Sequence, residues 1–147
     1  MLPKAKKSYG QNWLIDQSVV EKIIAAAGIK KGETVLEIGP GTGVLTEALV
    51  KAGANVVAVE ADKSLIKPLQ EKFGDKIKLI HGNILHNSTT PPLHHLKYHL
   101  IANIPYNITS EVIRKFLTQD PKPYRMILMV QFGLENLQGS FFVLFLA

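Results

Sequence analysis

The segment "LIANIPYNITS", residues 100–110, carries an apolar run into an amide, a proline and an aromatic ring: Asn103, Ile104, Pro105 and Tyr106. These residue types in this order suit one chemistry. The lone pair of an exocyclic amine on adenine is delocalised into the ring and is a poor nucleophile. Accepting both amine hydrogens in hydrogen bonds stabilises the positive charge that develops on nitrogen as it attacks. Asn103 offers its side-chain oxygen and Ile104 its backbone carbonyl. Pro105 restricts Ile104 to extended geometry and so aims that carbonyl. Tyr106 offers a flat face for a base lifted out of its stack. A bare N-x-P-Y is also an ordinary way to end a strand in a turn, so the rest of the chain decides.

A second group lies upstream. "EIGPGTG" places Glu37 before three alternating glycines, Gly39, Gly41 and Gly43, between an apolar run and a segment of helical spacing. Glycines there let backbone approach a ligand closely, with Gly39 and Gly41 the candidates. A dinucleotide fingerprint needs a glycine at position 44, where Val44 stands, and no G-x-x-x-x-G-K-[ST] phosphate loop is present. Glu60 ends the next apolar run, and a carboxylate there can accept both hydroxyls of a ribose. As an acid at a strand tip, Glu60 is expected to contribute little to the core. Asn83, in "HGNIL", either contacts the edge of a cofactor's adenine or is a turn residue beside Gly82. A glycine loop and an acid at adjacent strand tips point to a nucleoside site.

The elements that must position these residues alternate. "ETVLEIG", "NVVAVEAD", "KIKLIHG", "KYHLIAN" and "YRMILMV" read as strands. "DQSVVEKIIAAAG", "GVLTEALVKAG", "KSLIKPLQEKF" and "TSEVIRKFLTQ" read as helices, the first capped by Asp16 and closed by Gly28. Pro68 is expected to kink or interrupt the third. Alternation predicts an α/β fold with a mostly parallel sheet and helices on both faces. Ligands in such sheets bind at the carboxyl ends of the strands, which brings the loops after Ile38, Val59, Ile80 and Ala102 to one crevice.

With these residues in place, the chain resembles the ribosomal small-subunit RNA adenine N6,N6-dimethyltransferases, class I methyltransferases that use S-adenosylmethionine. "KKSYGQNWL" is similar to that family's N-terminal signature, "EIGPGTGVLTEAL" to its cofactor loop and "NIPYNI" to its target-base motif, over about Lys6 to Gln131. The resemblance implies a Rossmann-like domain over residues 1–147. It implies cofactor contacts from Asn12, Leu14, Gly39, Glu60, Asn83 and Asn103, and a stacking role for Tyr106. It further implies two successive methyl transfers to adenine N6 in the RNA of a small-subunit precursor. Related N-P-P-Y motifs act on adenine in DNA, but the basic arm and "GQN" favour RNA. A non-catalytic RNA-binding or assembly module is the reading from another class.

The chain departs from the family at three places. Asn83 stands where aspartate is usual, keeping an acceptor but losing the charge, and Trp13 stands where phenylalanine is usual. Residues 132–147, "FGLENLQGSFFVLFLA", replace a charged helix. "GSFFVLFL" is expected to supply a further strand. The family's final antiparallel strand, small helical domain and second base-stacking aromatic are expected to be absent. A bare apolar edge would then invite self-association. The chain is expected to bind S-adenosylmethionine yet show little or no dimethylation of ribosomal RNA.

Composition narrows the setting. The 147 residues suffice for one domain and one core. There are no cysteines, which excludes disulfides and thiolate metal sites. The basic N-terminus "MLPKAKKSYGQ" lacks a signal peptide's apolar core and no apolar run is long enough to cross a bilayer, so a cytoplasmic location is expected. A net charge of +5, with Lys4, Lys6 and Lys7 in the N-terminal arm, is compatible with a polyanion and equally with an ordinary solvated surface. His81, His86, His94, His95 and His99 lack a metal-binding pattern and are expected in loops and at the surface, with no metal.

Overall fold

The computed structural model describes residues 16–86, 91–131 and 141–146. Strands β1 (Thr34–Ile38), β2 (Asn55–Glu60), β3 (Ile77–His81), β4 (Tyr98–Pro105), β5 (Arg125–Gln131) and β6 (Phe141–Leu146) form one sheet in the order β3-β2-β1-β4-β5-β6. The first five pair in parallel, and β6 runs antiparallel to β5, from Gln131 opposite Phe141 to Met126 opposite Leu146. The expected mostly parallel α/β sheet is therefore present. "FFVLFL" is its outer strand among the described residues.

The helices are α1 (Gln17–Ala27), α2 (Val44–Lys51), α3 (Lys63–Phe73) and α4 (Tyr106–Thr118). Local chemistry sets their ends. Asp16 caps α1 by accepting from the Ser18 amide at 2.9 Å, and Gly28 closes it in the left-handed region. Asp62 caps α3 in the same way through Ser64.

Strand alternation divides the core into two layers. Val35, Val56, Ala58, Ile101 and Ile127 face α1, α2 and α3, where Ile23, Leu49, Leu69 and Phe73 bury against them. Leu36, Val59, Leu100, Ala102 and Leu128 face Val112 and Phe116 of α4, with Ile84 and Leu93 from the β3–β4 connection completing that side. Among the described residues helices cover both faces, three on one and one on the other.

Three expectations change. Helix α3 runs through Pro68 without interruption. The proline removes one backbone donor, and burial of Leu65, Leu69 and Phe73 on one stripe offsets it. His99 is a buried residue of β4, not a surface one, because β4 lies between β1 and β5 and both its faces are covered. Its Nε2 lies 3.2 Å from Glu33 Oε2, and its ring meets Tyr124 edge-on.

The third change concerns the Asn-Ile-Pro-Tyr segment. Strand β4 does not stop at Asn103. It continues through Ile104 to Pro105, pairing with Met129, Val130 and Gln131 of β5. Ile104 is buried and extended, as the residue before a proline must be. Pro105 (φ −60°, ψ 145°) is then the cap of α4, which begins directly at Tyr106.

Candidate active site

Glycine loop 39–43 leaves the end of β1 at the point where the sheet order reverses. From β1 the chain crosses outward to β2 and β3, then returns to β4 on the other side. That reversal opens a crevice at the carboxyl ends of the strands. The register pairs Ile38 with Ala102, so Gly39 and Asn103 are the next residues out on neighbouring strands. A methyl group built on Gly39 would meet the Asn103 carbonyl oxygen at 3.9 Å. The glycine loop and the Asn-Ile-Pro-Tyr segment are adjacent.

The loop is tied down from below. Gly39 N–H donates to the Val59 carbonyl at 2.9 Å, and Gly43 N–H to the Pro40 carbonyl at 2.8 Å. Gly39, Gly41 and Gly43 all have positive φ, between 60° and 79°. At Gly43 the requirement is also steric, since an added Cβ would lie 2.5 Å from Phe73 Cε2 of α3. The third glycine of the motif thus serves helix packing.

Glu60, expected to matter little to the core, is buried, with 5% of its surface exposed. Its Oε2 accepts from the Gly41 amide at 3.1 Å and its Oε1 from the Asp62 amide at 2.8 Å. Burial raises its pKa, and those two backbone hydrogen bonds pull the other way. A carboxylate has about four acceptor sites, so Glu60 keeps acceptor capacity for a ligand.

Sequence reasoning did not single out Glu37 and Thr46. Glu37 is buried at the end of β1, and its Oε2 accepts from the Thr46 hydroxyl at 2.7 Å. Burial pushes its pKa up to about 8, with the nearby Glu60 adding repulsion. The signal was an acid inside an otherwise apolar strand, since acids are almost never fully buried without a partner. Strand alternation places Glu37 with Val35, Glu60 with Ala58 and Asn103 with Ile101, so all three lie on the α1–α3 face of the sheet.

Asn83 makes turn contacts at the tip of β3. Its Oδ1 accepts from the Leu85 amide at 3.0 Å, and its carbonyl from His86 at 2.9 Å. Lys115 of α4 donates to the Ile84 carbonyl at 2.7 Å, linking this turn to the helix that Tyr106 opens. Tyr106 is 61% exposed at the start of α4. Asn12 and Leu14 lie outside the described residues, as do Lys4, Lys6, Lys7 and Trp13. Among the described residues no group of three or more His, Cys, Asp or Glu is placed to hold a metal. None of their helices is long and apolar enough to cross a membrane.

A parallel sheet with this order, a glycine loop after β1 and an acid at the tip of β2 define a Rossmann-like class I methyltransferase domain. Solved structures agree. The chain aligns with a dimethyladenosine transferase from Plasmodium falciparum at TM-score 0.69 and 30% identity, covering 82% of this chain and 43% of that one. It aligns with the 23S rRNA methyltransferase ErmE at TM-score 0.71 and 29% identity, covering 82% and 48%.

The family model for ribosomal RNA adenine dimethylase matches residues 2–137, and the chain belongs to that family. A ribosomal RNA small subunit methyltransferase A from Dehalococcoides mccartyi is 50% identical over 131 residues, covering 87% of this chain and 45% of the relative. The chain spans about half the length of the curated relatives it matches.

Proposed function

We infer that this chain carries S-adenosylmethionine-dependent N6-dimethylation of adenines in small-subunit ribosomal RNA. The adjacency of Gly39 and Asn103 carries the reading, because it sets a nucleoside-binding loop beside an amine-gripping motif. The residues fit the cofactor. Gly39 has only a backbone oxygen near the place a side chain would fill, and Glu60 keeps acceptor capacity for ribose hydroxyls. By family position, Asn12, Leu14, Asn83 and Asn103 join them. When bound, the cofactor supplies an activated methyl group.

The chain's own residues do the rest. Asn103 and the Ile104 carbonyl accept the two amine hydrogens of adenine and stabilise charge developing on its nitrogen. Extended geometry at Ile104, enforced by Pro105, holds the carbonyl in place. Tyr106, exposed at the helix start, stacks on the extruded base. The small-subunit precursor is the proposed partner and the cytoplasm the proposed location. The outer strand β6, apolar throughout in sequence, supports self-association along that edge, which light scattering against concentration tests.

Calorimetry with S-adenosylmethionine, followed by methyl incorporation into small-subunit ribosomal RNA and duplex DNA, tests the function. Cofactor binding with little dimethyladenosine, and that in the RNA alone, is the expected result. Methylation of DNA instead changes the substrate class. RNA binding without cofactor binding or transfer overturns the enzymatic reading.

A further inference from the structure

Neither Glu37 nor Thr46 is among the residues proposed above to contact cofactor or substrate. Both residues are essentially fully buried, and their 2.7 Å hydrogen bond spans nine positions of sequence. It joins the end of β1, just before the glycine loop, to the first turn of α2 after it. A carboxyl group so buried is costly, and its neighbours Val35, Leu36 and Ile38 show what the strand otherwise uses there. Replacing a buried polar pair by apolar groups of similar shape is often neutral or stabilising, so stability alone does not explain it. What a hydrogen bond adds over apolar contact is direction.

The loop needs that direction. Its three glycines sit at positive φ, and glycine backbone has the most conformational freedom to lose. Glu60 holds the middle of the loop through the Gly41 amide, and Val59 holds its start. The Pro40–Gly43 hydrogen bond closes its turn, and the Glu37–Thr46 bond adds a tie between the strand before it and the helix after it.

We propose that Glu37 and Thr46 are positioning residues, a brace beneath the glycine loop that fixes the end of β1 against α2 and so holds the loop in its cofactor-receiving shape. The effect on cofactor affinity rests on the function proposed above, while the effect on the loop does not. Thr46→Val removes the donor at nearly constant volume. Thr46→Ser keeps the hydroxyl and is the conservative rescue. The double variant Glu37→Leu, Thr46→Val replaces the pair by apolar groups and carries the test even where Thr46→Val alone fails to fold.

Amide hydrogen exchange at Gly41 and Gly43, thermal unfolding and S-adenosylmethionine calorimetry are the readouts. Loss of one hydrogen bond should speed exchange of these two amides roughly tenfold in Thr46→Val and weaken cofactor affinity by a similar factor. Thr46→Ser should restore both. The double variant should recover the unfolding temperature but neither loop protection nor affinity. Recovery of all three in the double variant makes the pair merely structural and overturns the brace, as does unchanged loop exchange in a folded Thr46→Val. Failure of the unvaried chain to bind S-adenosylmethionine counts against the proposed function, and the exchange data still decide the brace.

Discussion

The Glu60 carboxylate accepts a hydrogen bond from the Gly41 amide at 3.1 Å, so the acid proposed to hold the ribose also holds the loop beside it. Glu60→Ala therefore removes two things at once. Losing a hydrogen bond to a charged group should weaken S-adenosylmethionine binding roughly ten- to a hundredfold. Leaving the Gly41 and Asp62 amides without this acceptor should destabilise the fold by about 1–3 kcal/mol. Calorimetry and denaturant unfolding separate the two losses. Unchanged cofactor affinity in a folded variant would sink the ribose assignment.

Glu37 ties stability to pH. Its pKa stands at about 8 in the folded chain against an ordinary 4.5. Between those values the folded state keeps a proton that the unfolded state has lost, so stability should be full below about 4.5 and fall until the pH reaches about 8. Glu37→Gln cannot ionise and should flatten most of that decline. Glu60, also raised, leaves a residual slope. Urea midpoints across this range measure it, and an equal slope in Glu37→Gln would show that Glu37 is not its source.

The strands and the glycine loop were legible because their signals are local. Apolar runs, the G-x-G-x-G spacing and the caps Asp16 and Gly28 depend only on near neighbours. Glu37 was visible as an acid in an apolar strand, but its partner Thr46 was not, since that pairing depends on how α2 packs back on β1. The extent of β4 was misjudged for a physical reason. A proline argues against a central strand, yet Pro105 is the last residue of β4, where a missing donor matters least. Burial of Glu60 depended on the loop folding over it, a contact between residues nineteen positions apart.

Gly43 should not tolerate a side chain. It sits at φ 79°, and an added Cβ would come within 2.5 Å of Phe73 Cε2 and 3.3 Å of Leu69 Cδ2. Backbone strain of about 1–3 kcal/mol adds to overpacking of about 1–3 kcal/mol in Gly43→Ala. Combining it with Phe73→Leu should relieve part of the clash, so the double variant should lose less than the two singles together. Denaturant unfolding of the four chains closes the cycle. Strict additivity would mean that the Phe73 ring is not the obstacle.

Asn103 and Tyr106 should fail in different steps. Asn103 follows the residue paired with the end of β1, with its amide oxygen proposed to accept an amine hydrogen as charge develops on nitrogen. Removing one such preorganised contact typically lowers the rate on the order of 10²–10³. Asn103→Ala should therefore cut methyl transfer while leaving cofactor binding largely intact. Tyr106 opens α4 with its ring exposed, where it can reach a base but adds little to the core. Stacking contributes about 1–3 kcal/mol per base, so Tyr106→Ala should weaken RNA engagement with little change in stability. Single-turnover transfer at saturating RNA should expose the Asn103 defect, and titration with RNA the Tyr106 defect. Both variants, assayed in a full-length context, methylating RNA at the unvaried rate and affinity would remove the basis for reading Asn-Ile-Pro-Tyr as the grip on the target base.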